Sequence, residues 1–330
     1  MGRPLERLRE ATRGTEWEGR LWLVGGAVRD RLLGRPTPND LDLVMEASAL
    51  EFADWCWRSG ISQIQPVTYP RFGTAMVMIE GSTVELVTAR SESYRADSRK
   101  PEVRPATLLE DARRRDFTVN ALYENLHGGA LADPLGMGVE DLNRRILRTP
   151  IVAEDTFEED PLRMLRAVRF RWQIGLDPAD GLWDAIRAKR HRLAIVSRER
   201  IRDELCRMLD LADAARCLDD LLETGLLEQF APELASMKGV SQGGYHHLDV
   251  WDHTMLAVSN LGPGDLVASL GVLLHDVGKP QTRSVEADGR VRFLGHEKVG
   301  AEIAERWLRE MRFPSAVATQ VATIVRGHMR

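Results

Sequence analysis

Between Leu21 and about Leu147 short β-rich runs alternate with helical ones, and after Thr149-Pro150 the strand signal stops. Leu21 to Val24, Leu41 to Val44, Thr74 to Ile79 and Thr83 to Ala89 read as strands, with helices near Ala27 to Leu33 and Ala47 to Ser59. From the run Pro161 to Gln173 onward amphipathic helical patterns take over, and the remainder reads as wholly helical. A chain of 330 residues is longer than one hydrophobic core usually serves. The division expected is therefore an α/β head over 1–148, a helical neck and body over 149–240, and a further helical unit over 241–330. The polar connection Ser241-Gln242-Gly243-Gly244 marks the last boundary.

With 43% hydrophobic and 29% charged residues the chain is an ordinary globular protein, which excludes disordered and fibrous classes. A net charge of -5 excludes a basic nucleic-acid coat, so any such binding must come from a local patch. One is present: between Arg163 and Arg207 stand eleven Arg and one Lys against six acidic residues. Cys56, Cys206 and Cys217 form neither a CxxC pair nor an even framework, which fits packing residues in a reducing cytosol. No apolar leader and no run of about 18 apolar residues is present, so a cytoplasmic protein outside the membrane is expected.

The chemistry begins at Leu23-Val24-Gly25-Gly26-Ala27-Val28-Arg29-Asp30, a strand, a glycine pair and a helix. Such a turn lets backbone amides approach a triphosphate, and Arg29 adds a fixed charge; standing alone, it would equally be a tight strand-to-helix connection. Downstream, Asp40 and Asp42 alternate with Leu41 and Leu43, so strand periodicity places both carboxylates on one face. A carboxylate pair beside a glycine turn suits Mg2+, a hard cation that keeps positions open for phosphate. Glu85 is a charge inside an apolar strand; it reads as a third metal ligand or general base, or else as a solvated residue on an edge strand. Arg113, Arg114 and Arg115 offer planar forks for phosphate oxygens, and Asp116 and Asn120, four apart on a helix, would brace the loop or touch a ribose.

In Glu159-Asp160-Pro161-Leu162-Arg163, Asp160 is a helix N-cap by position. With Arg163 it also forms an acceptor beside a donor fork, which can match the Watson-Crick edge of a base. Arg163, Arg166 and Arg169 recur every three residues while Leu162, Leu165 and Val168 make an apolar stripe.

The order GGxVRD, DxD, RRDFTxNA, DPxGxxxDL and EDPLRxxRxxRF resembles the bacterial class II tRNA nucleotidyltransferase and poly(A) polymerase family over about residues 21–230, and Ser197 to Leu205 resembles a further helical motif of that family. The resemblance implies a head built on a mixed sheet with flanking helices, then a helical neck and body. It implies metal binding by Asp40 and Asp42 and triphosphate contacts from Gly26, Arg29 and Arg115, at the turn that Gly25 opens. Base selection falls to Asp160 and Arg163, with Arg166 and Arg169 lining the pocket. The implied reaction is Mg2+-dependent addition of C and/or A from CTP or ATP to the tRNA 3′ end, the arginine-rich helices holding the acceptor arm. Ser91 to Pro101 corresponds to a flexible loop that resembles a determinant of the C-to-A switch.

Beyond residue 240 come His246-His247, Trp251-Asp252-His253, Leu273-Leu274-His275-Asp276-Val277-Gly278-Lys279, Gly295-His296-Glu297 and His328. This looks like an HD phosphohydrolase domain, with His253, His275 and Asp276 as first ligands of a second divalent transition metal and His296 as the candidate fourth. Two other readings compete: poly(A) polymerase, which shares every motif of the head, and an HD-type metal phosphohydrolase with a degenerate RNA-binding head. Asp40→Ala separates the last from the transferases, since it should abolish nucleotide incorporation and spare hydrolysis that depends on His275 and Asp276.

Overall fold

The computed structural model describes residues 3–36, 41–95, 98–243 and 247–329, with the backbone alone over 92–95 and 98–103. Asp40 and His246 lie outside the described residues. The chain divides into two compact units, Met1–Glu159 and Asp160–Arg330.

The first unit opens with α1 (Arg3–Thr12) and continues through β1 (Trp22–Val24), α2 (Gly26–Leu32), β2 (Leu41–Met45), α3 (Ala49–Arg58), β3 (Val67–Tyr69), β4 (Thr74–Ile79), β5 (Ser82–Thr88), β6 (Arg90–Arg95) and β7 (Ser98–Pro105). It ends with α4 (Leu108–Arg113), β8 (Tyr123–Asn125), β9 (Leu131–Ala132), α5 (Gly138–Asn143) and α6 (Ala153–Glu159). Seven strands form one sheet in the order β3-β4-β5-β2-β1-β8-β9, in which β2 and β5 run parallel and the other pairs are antiparallel. This is the mixed sheet with flanking helices.

Strand alternation builds its two faces. Leu23, Leu43, Val84 and Leu86 are buried on one face, where α3 packs on β4 and β5. That helix starts where Ser48 accepts the amide of Glu51 at 3.2 Å, and it inserts Phe52, Ala53 and Cys56. On the other face Val24, Val44, Val87 and Tyr123 pack with Ala112 of α4 and Ala121. α4 opens on a capping box in which Thr107 and Glu110 satisfy each other's backbone amides.

The segment after Arg90, which the resemblance relates to a flexible loop, is an antiparallel hairpin of β6 and β7, with Ala96 and Asp97 outside the described residues. β5 lies between β4 and β2, which removes the edge-strand reading of Glu85.

The second unit runs α7 (Leu162–Ile174), α8 (Leu182–Lys189), α9 (Arg198–Leu209), α10 (Ala214–Glu223), α11 (Pro232–Ala235), α12 (Val250–Leu261), α13 (Leu266–Leu274), α14 (Lys279–Thr282), α15 (His296–Glu310) and α16 (Ser315–Gly327). α7 packs on α9 and α10, α10 on α12, α12 on α13, and α16 on α13 and α15, apolar stripe against apolar stripe. The expectation of a wholly helical remainder misses a small hairpin, Ser284–Val285 with Val291–Arg292. Among the described residues no helix is long and apolar enough to cross a membrane.

Candidate active site

Gly25 ends β1 with φ +75°, a left-handed conformation that a side chain would strain. An ideal Cβ there would stand 3.8 Å from Asp42 Oδ2 and 3.9 Å from Arg115 Nη1, so the glycine turn, a carboxylate and a guanidinium converge on one spot. Asp42 is the register partner of Val24 on one side and of Glu85 on the other, which puts the two carboxylates side by side on one sheet face. Asp42 is half-buried and Glu85 exposed, each two residues before a valine that anchors this face in the core.

Arg29 is 5% exposed. Its guanidinium donates from Nε to Asp30 at 2.8 Å and from Nη1 to Asn120 Oδ1 at 2.6 Å. Asn120 Nδ2 donates in turn to Asp116 Oδ1 at 3.0 Å, which also receives the Phe117 amide at 2.8 Å. The expectation that Asp116 and Asn120 share a helix is overturned, because Thr118–Asn120 is a short 3-10 turn and the two side chains meet across it. The loop beside Arg115 is braced by this chain of contacts.

The residue that sequence reasoning passed over is Asp111, fully buried on α4. It receives Arg115 Nη2 at 2.9 Å, the Tyr123 hydroxyl at 2.8 Å and the guanidinium of Arg114. Burial pushes its carboxyl up, but the charges of Arg115 and Arg114 with the Tyr123 hydroxyl outweigh that and hold it at about 2. Arg115 lies with its guanidinium carbon 5.4 Å from the centre of the Tyr123 ring. Arg114 also donates from Nε to the Arg90 carbonyl at 3.1 Å, the root of the β6–β7 hairpin. The spacing of three and four residues to Arg114 and Arg115 was the available signal.

In the second unit Asp160 Oδ1 accepts the amide of Leu162 at 3.1 Å, so the side chain caps the first turn although Pro161 occupies the N-cap position. Arg163 and Arg169 are buried, as are Leu162, Leu165 and Val168. Glu204 of α9, 2% exposed, explains how α7 tolerates its arginine row: it takes Arg169 Nε at 2.6 Å, Arg207 at 3.0 Å and Arg166 at 3.7 Å. A single buried carboxylate thus meets three guanidiniums.

Further along the same unit, Asp276 is 2% exposed and gathers imidazoles from four places. His275 Nε2 lies 3.0 Å and His253 Nε2 3.8 Å from Oδ2, while His296 Nε2 is 3.4 Å from Oδ1. His328, which sequence reasoning noted without a role, places Nε2 3.7 Å from Oδ1. Gly278 makes the crossing of α15 over this point possible, since a Cβ there would meet His296 O at 2.3 Å. Imidazole-rich sets of this kind suit transition metals more than Mg2+.

A mixed sheet carrying adjacent carboxylates against a glycine turn and an anchored arginine, followed by an arginine-rich helical unit, defines a nucleotidyltransferase class of protein. Residues 21–148 match the poly A polymerase head domain family, 175–238 a family described as the probable RNA and SrmB-binding site of polymerase A, and 243–330 the HD domain family. The A-adding tRNA nucleotidyltransferase of Deinococcus radiodurans is 42% identical over 235 residues, which cover 68% of this chain and 53% of that protein. The CC-adding tRNA nucleotidyltransferase of Thermus thermophilus is 39% identical over 316 residues, 93% of this chain and 68% of that protein. Among solved structures, the Bacillus stearothermophilus CCA-adding enzyme in complex with CTP superposes with a TM-score of 0.72 at 28% identity, covering 98% of this chain and 70% of that one. A tRNA nucleotidyltransferase complexed with a primer tRNA and an incoming ATP analog gives 0.62 at 26% identity, covering 92% and 80%. The chain belongs to the tRNA nucleotidyltransferase and poly(A) polymerase family. It spans about half the length of the Deinococcus relative.

Proposed function

We propose that this chain adds C and/or A residues to the 3′ end of tRNA from CTP and/or ATP, without a template, releasing pyrophosphate. The observation that carries the reading is the convergence of Asp42 and Arg115 on the Gly25 turn, with Glu85 beside Asp42. The matched relatives are named for adding A or CC to tRNA, which does not favour poly(A) polymerase or a degenerate head.

The tRNA 3′-hydroxyl attacks the α-phosphorus in line and gives up its proton to a base, Glu85 or water, while the bond to the bridging oxygen of the β-phosphate breaks and pyrophosphate leaves with the electron pair. Oxygen donors Asp42 and Glu85, with Asp40, form a hard set that fits Mg2+. The ion when bound supplies Lewis-acid polarisation and charge neutralisation. The amides at Gly25 and Gly26 and the guanidinium of Arg115 hold the triphosphate, and Arg29, Asn120 and Asp116 keep that loop in place. Asp160 and Arg163 read the base edge, and Arg166 and Arg169 bound its pocket. The acceptor arm is held through its phosphates by the arginine-rich helices over 149–240, so affinity falls as salt rises. The head over 1–148 carries the chemistry and the unit over 241–330 a second divalent transition metal at His253, His275, Asp276 and His296. The compartment is the cytoplasm.

The test uses tRNAs ending before the CCA, after its first C, after its second C and after the full CCA, with CTP or ATP supplied singly and the products sequenced. No incorporation on any end would refute the reading. Asp160→Ala should narrow the discrimination of CTP and ATP against UTP and GTP by roughly 10-fold to 100-fold, the loss of about 1–3 kcal/mol of base readout. Unchanged ratios in single-nucleotide assays would assign Asp160 to helix capping alone.

A further inference from the structure

The stretch Asp133 to Leu142 carries two aspartates that take no part in the chemistry above. Asp133 holds the first turn of α5, its Oδ1 accepting the Gly136 amide at 3.1 Å and its Oδ2 the Val139 amide at 3.0 Å. Asp141 is 3% exposed and reaches further. Its Oδ2 accepts the Thr118 hydroxyl at 2.8 Å, and Arg148 Nε stands 3.1 Å from both of its oxygens. The carbonyl of Arg148 in turn accepts the Thr118 amide at 2.9 Å. Thr118, fully buried, is thus held at its backbone and at its side chain by the two members of one ion pair.

We infer that Asp141 is a positioning residue for nucleotide addition: through Thr118 it fixes the 3-10 turn Thr118–Asn120 and with it Asn120, on which Arg29 and Asp116 are set. This rests on the reading of the Gly25 turn and Arg115 as the triphosphate site. A single 3-10 turn has poor hydrogen-bond geometry of its own, so its place is set by what packs on it. Both α2, which carries Arg29, and α5 do so. Asn120 is buried, with Oδ1 taking Arg29 Nη1 at 2.6 Å and Nδ2 given to Asp116 at 3.0 Å. A shift of Thr118 therefore passes to Asn120 two residues on, and from there to Arg29 and to Asp116, the chain neighbour of Arg115.

The contact is close as well as polar. A Cβ at Gly138 would stand 2.7 Å from the Thr118 carbonyl oxygen and 2.9 Å from Leu122 Cδ2, so α5 rests on the turn at a distance that glycine allows. An apolar contact would bury α5 too, yet would let the turn slide beneath it. A hydroxyl bonded to a carboxylate fixes direction along with distance, and the charge on the acceptor strengthens it.

The test is steady-state incorporation of CTP or ATP, whichever the unaltered chain adds, on a tRNA end that accepts it, with a melting curve for every variant. Thr118→Val, close in shape but without the hydroxyl, should raise the nucleotide KM roughly tenfold with kcat within about twofold, the worth of one hydrogen bond to a charged group. Such a split marks the loss of binding shared by ground and transition states. Thr118→Ser restores the hydroxyl and should bring KM back toward that of the unaltered chain. Asp141→Asn should raise KM as Thr118→Val does, and the two together should add little, since both act through one bond. A role in stability alone would lower the melting temperature and the active fraction, hence kcat, and leave KM in place. Unchanged KM in Thr118→Val and Asp141→Asn, or a Thr118→Ser chain no better than Thr118→Val, overturns the inference while the nucleotidyltransferase reading stands; no incorporation by the unaltered chain overturns both.

Discussion

Asp42→Ala should lower nucleotide incorporation roughly a thousandfold, while metal binding at Asp276 is left intact. The size follows from what the carboxylate does: a metal-held charge at a phosphoryl centre contributes several kcal/mol to the transition state, and about 4 kcal/mol is roughly three orders of magnitude in rate. Asp42 is half-buried beside Gly25 and in register with Glu85, so no neighbouring donor can slide into its place without moving a central strand. Glu85→Gln gives the comparison. Glu85 shares the sheet face of Asp42, and as a ligand or base its loss should also lower kcat; as a solvated residue it should leave kcat unchanged. Single-turnover assays with saturating CTP and ATP read both. Near-normal incorporation by Asp42→Ala would remove the catalytic reading of the head altogether.

Much of this geometry was legible in the sequence, because periodicity reports which face a residue occupies. Asp42 and Glu85 could be placed on strands, and the stripe Leu162, Leu165, Val168 on a helix, from spacing alone. Depth and strand order are set by long-range pairing, which spacing does not encode. Hence Glu85 could be taken for an edge residue although β5 is internal. Arg29 could be taken for a fixed charge facing the substrate, although it is 5% exposed and engaged with Asp30 and Asn120. The β6–β7 hairpin escaped for a different reason: a charged run lacking apolar alternation carries no strand signal. His328 was visible as a residue but not as a partner of Asp276, since α13, α15 and α16 must first pack for the two to meet.

Asp111→Asn should destabilise the full chain by about 3 kcal/mol at neutral pH, the usual cost of removing one partner from a buried ion pair. Here two guanidiniums lose their acceptor at once, one beside the Gly25 turn and one holding the Arg90 carbonyl at the base of the hairpin. The carboxyl is held at about 2 in the folded chain, below the value of about 3.9 that an unfolded aspartate has. A depressed folded value means the stabilisation is complete above pH 4 and is lost as pH falls from there toward 2. At roughly 1.4 kcal/mol per unit it amounts to about 2.6 kcal/mol. Urea unfolding of the wild-type chain and of Asp111→Asn at pH 7, 4 and 3 separates this from general acid sensitivity. The gap between the two should narrow as the pH drops, because protonation does to the wild type what the substitution has already done. A gap that stays constant down to pH 3 would show that Asp111 is not the charge on which Arg114 and Arg115 depend. Incorporation at neutral pH should fall with the substitution as well, chiefly through a raised KM for the nucleotide, since Arg115 would keep its charge and lose its aim.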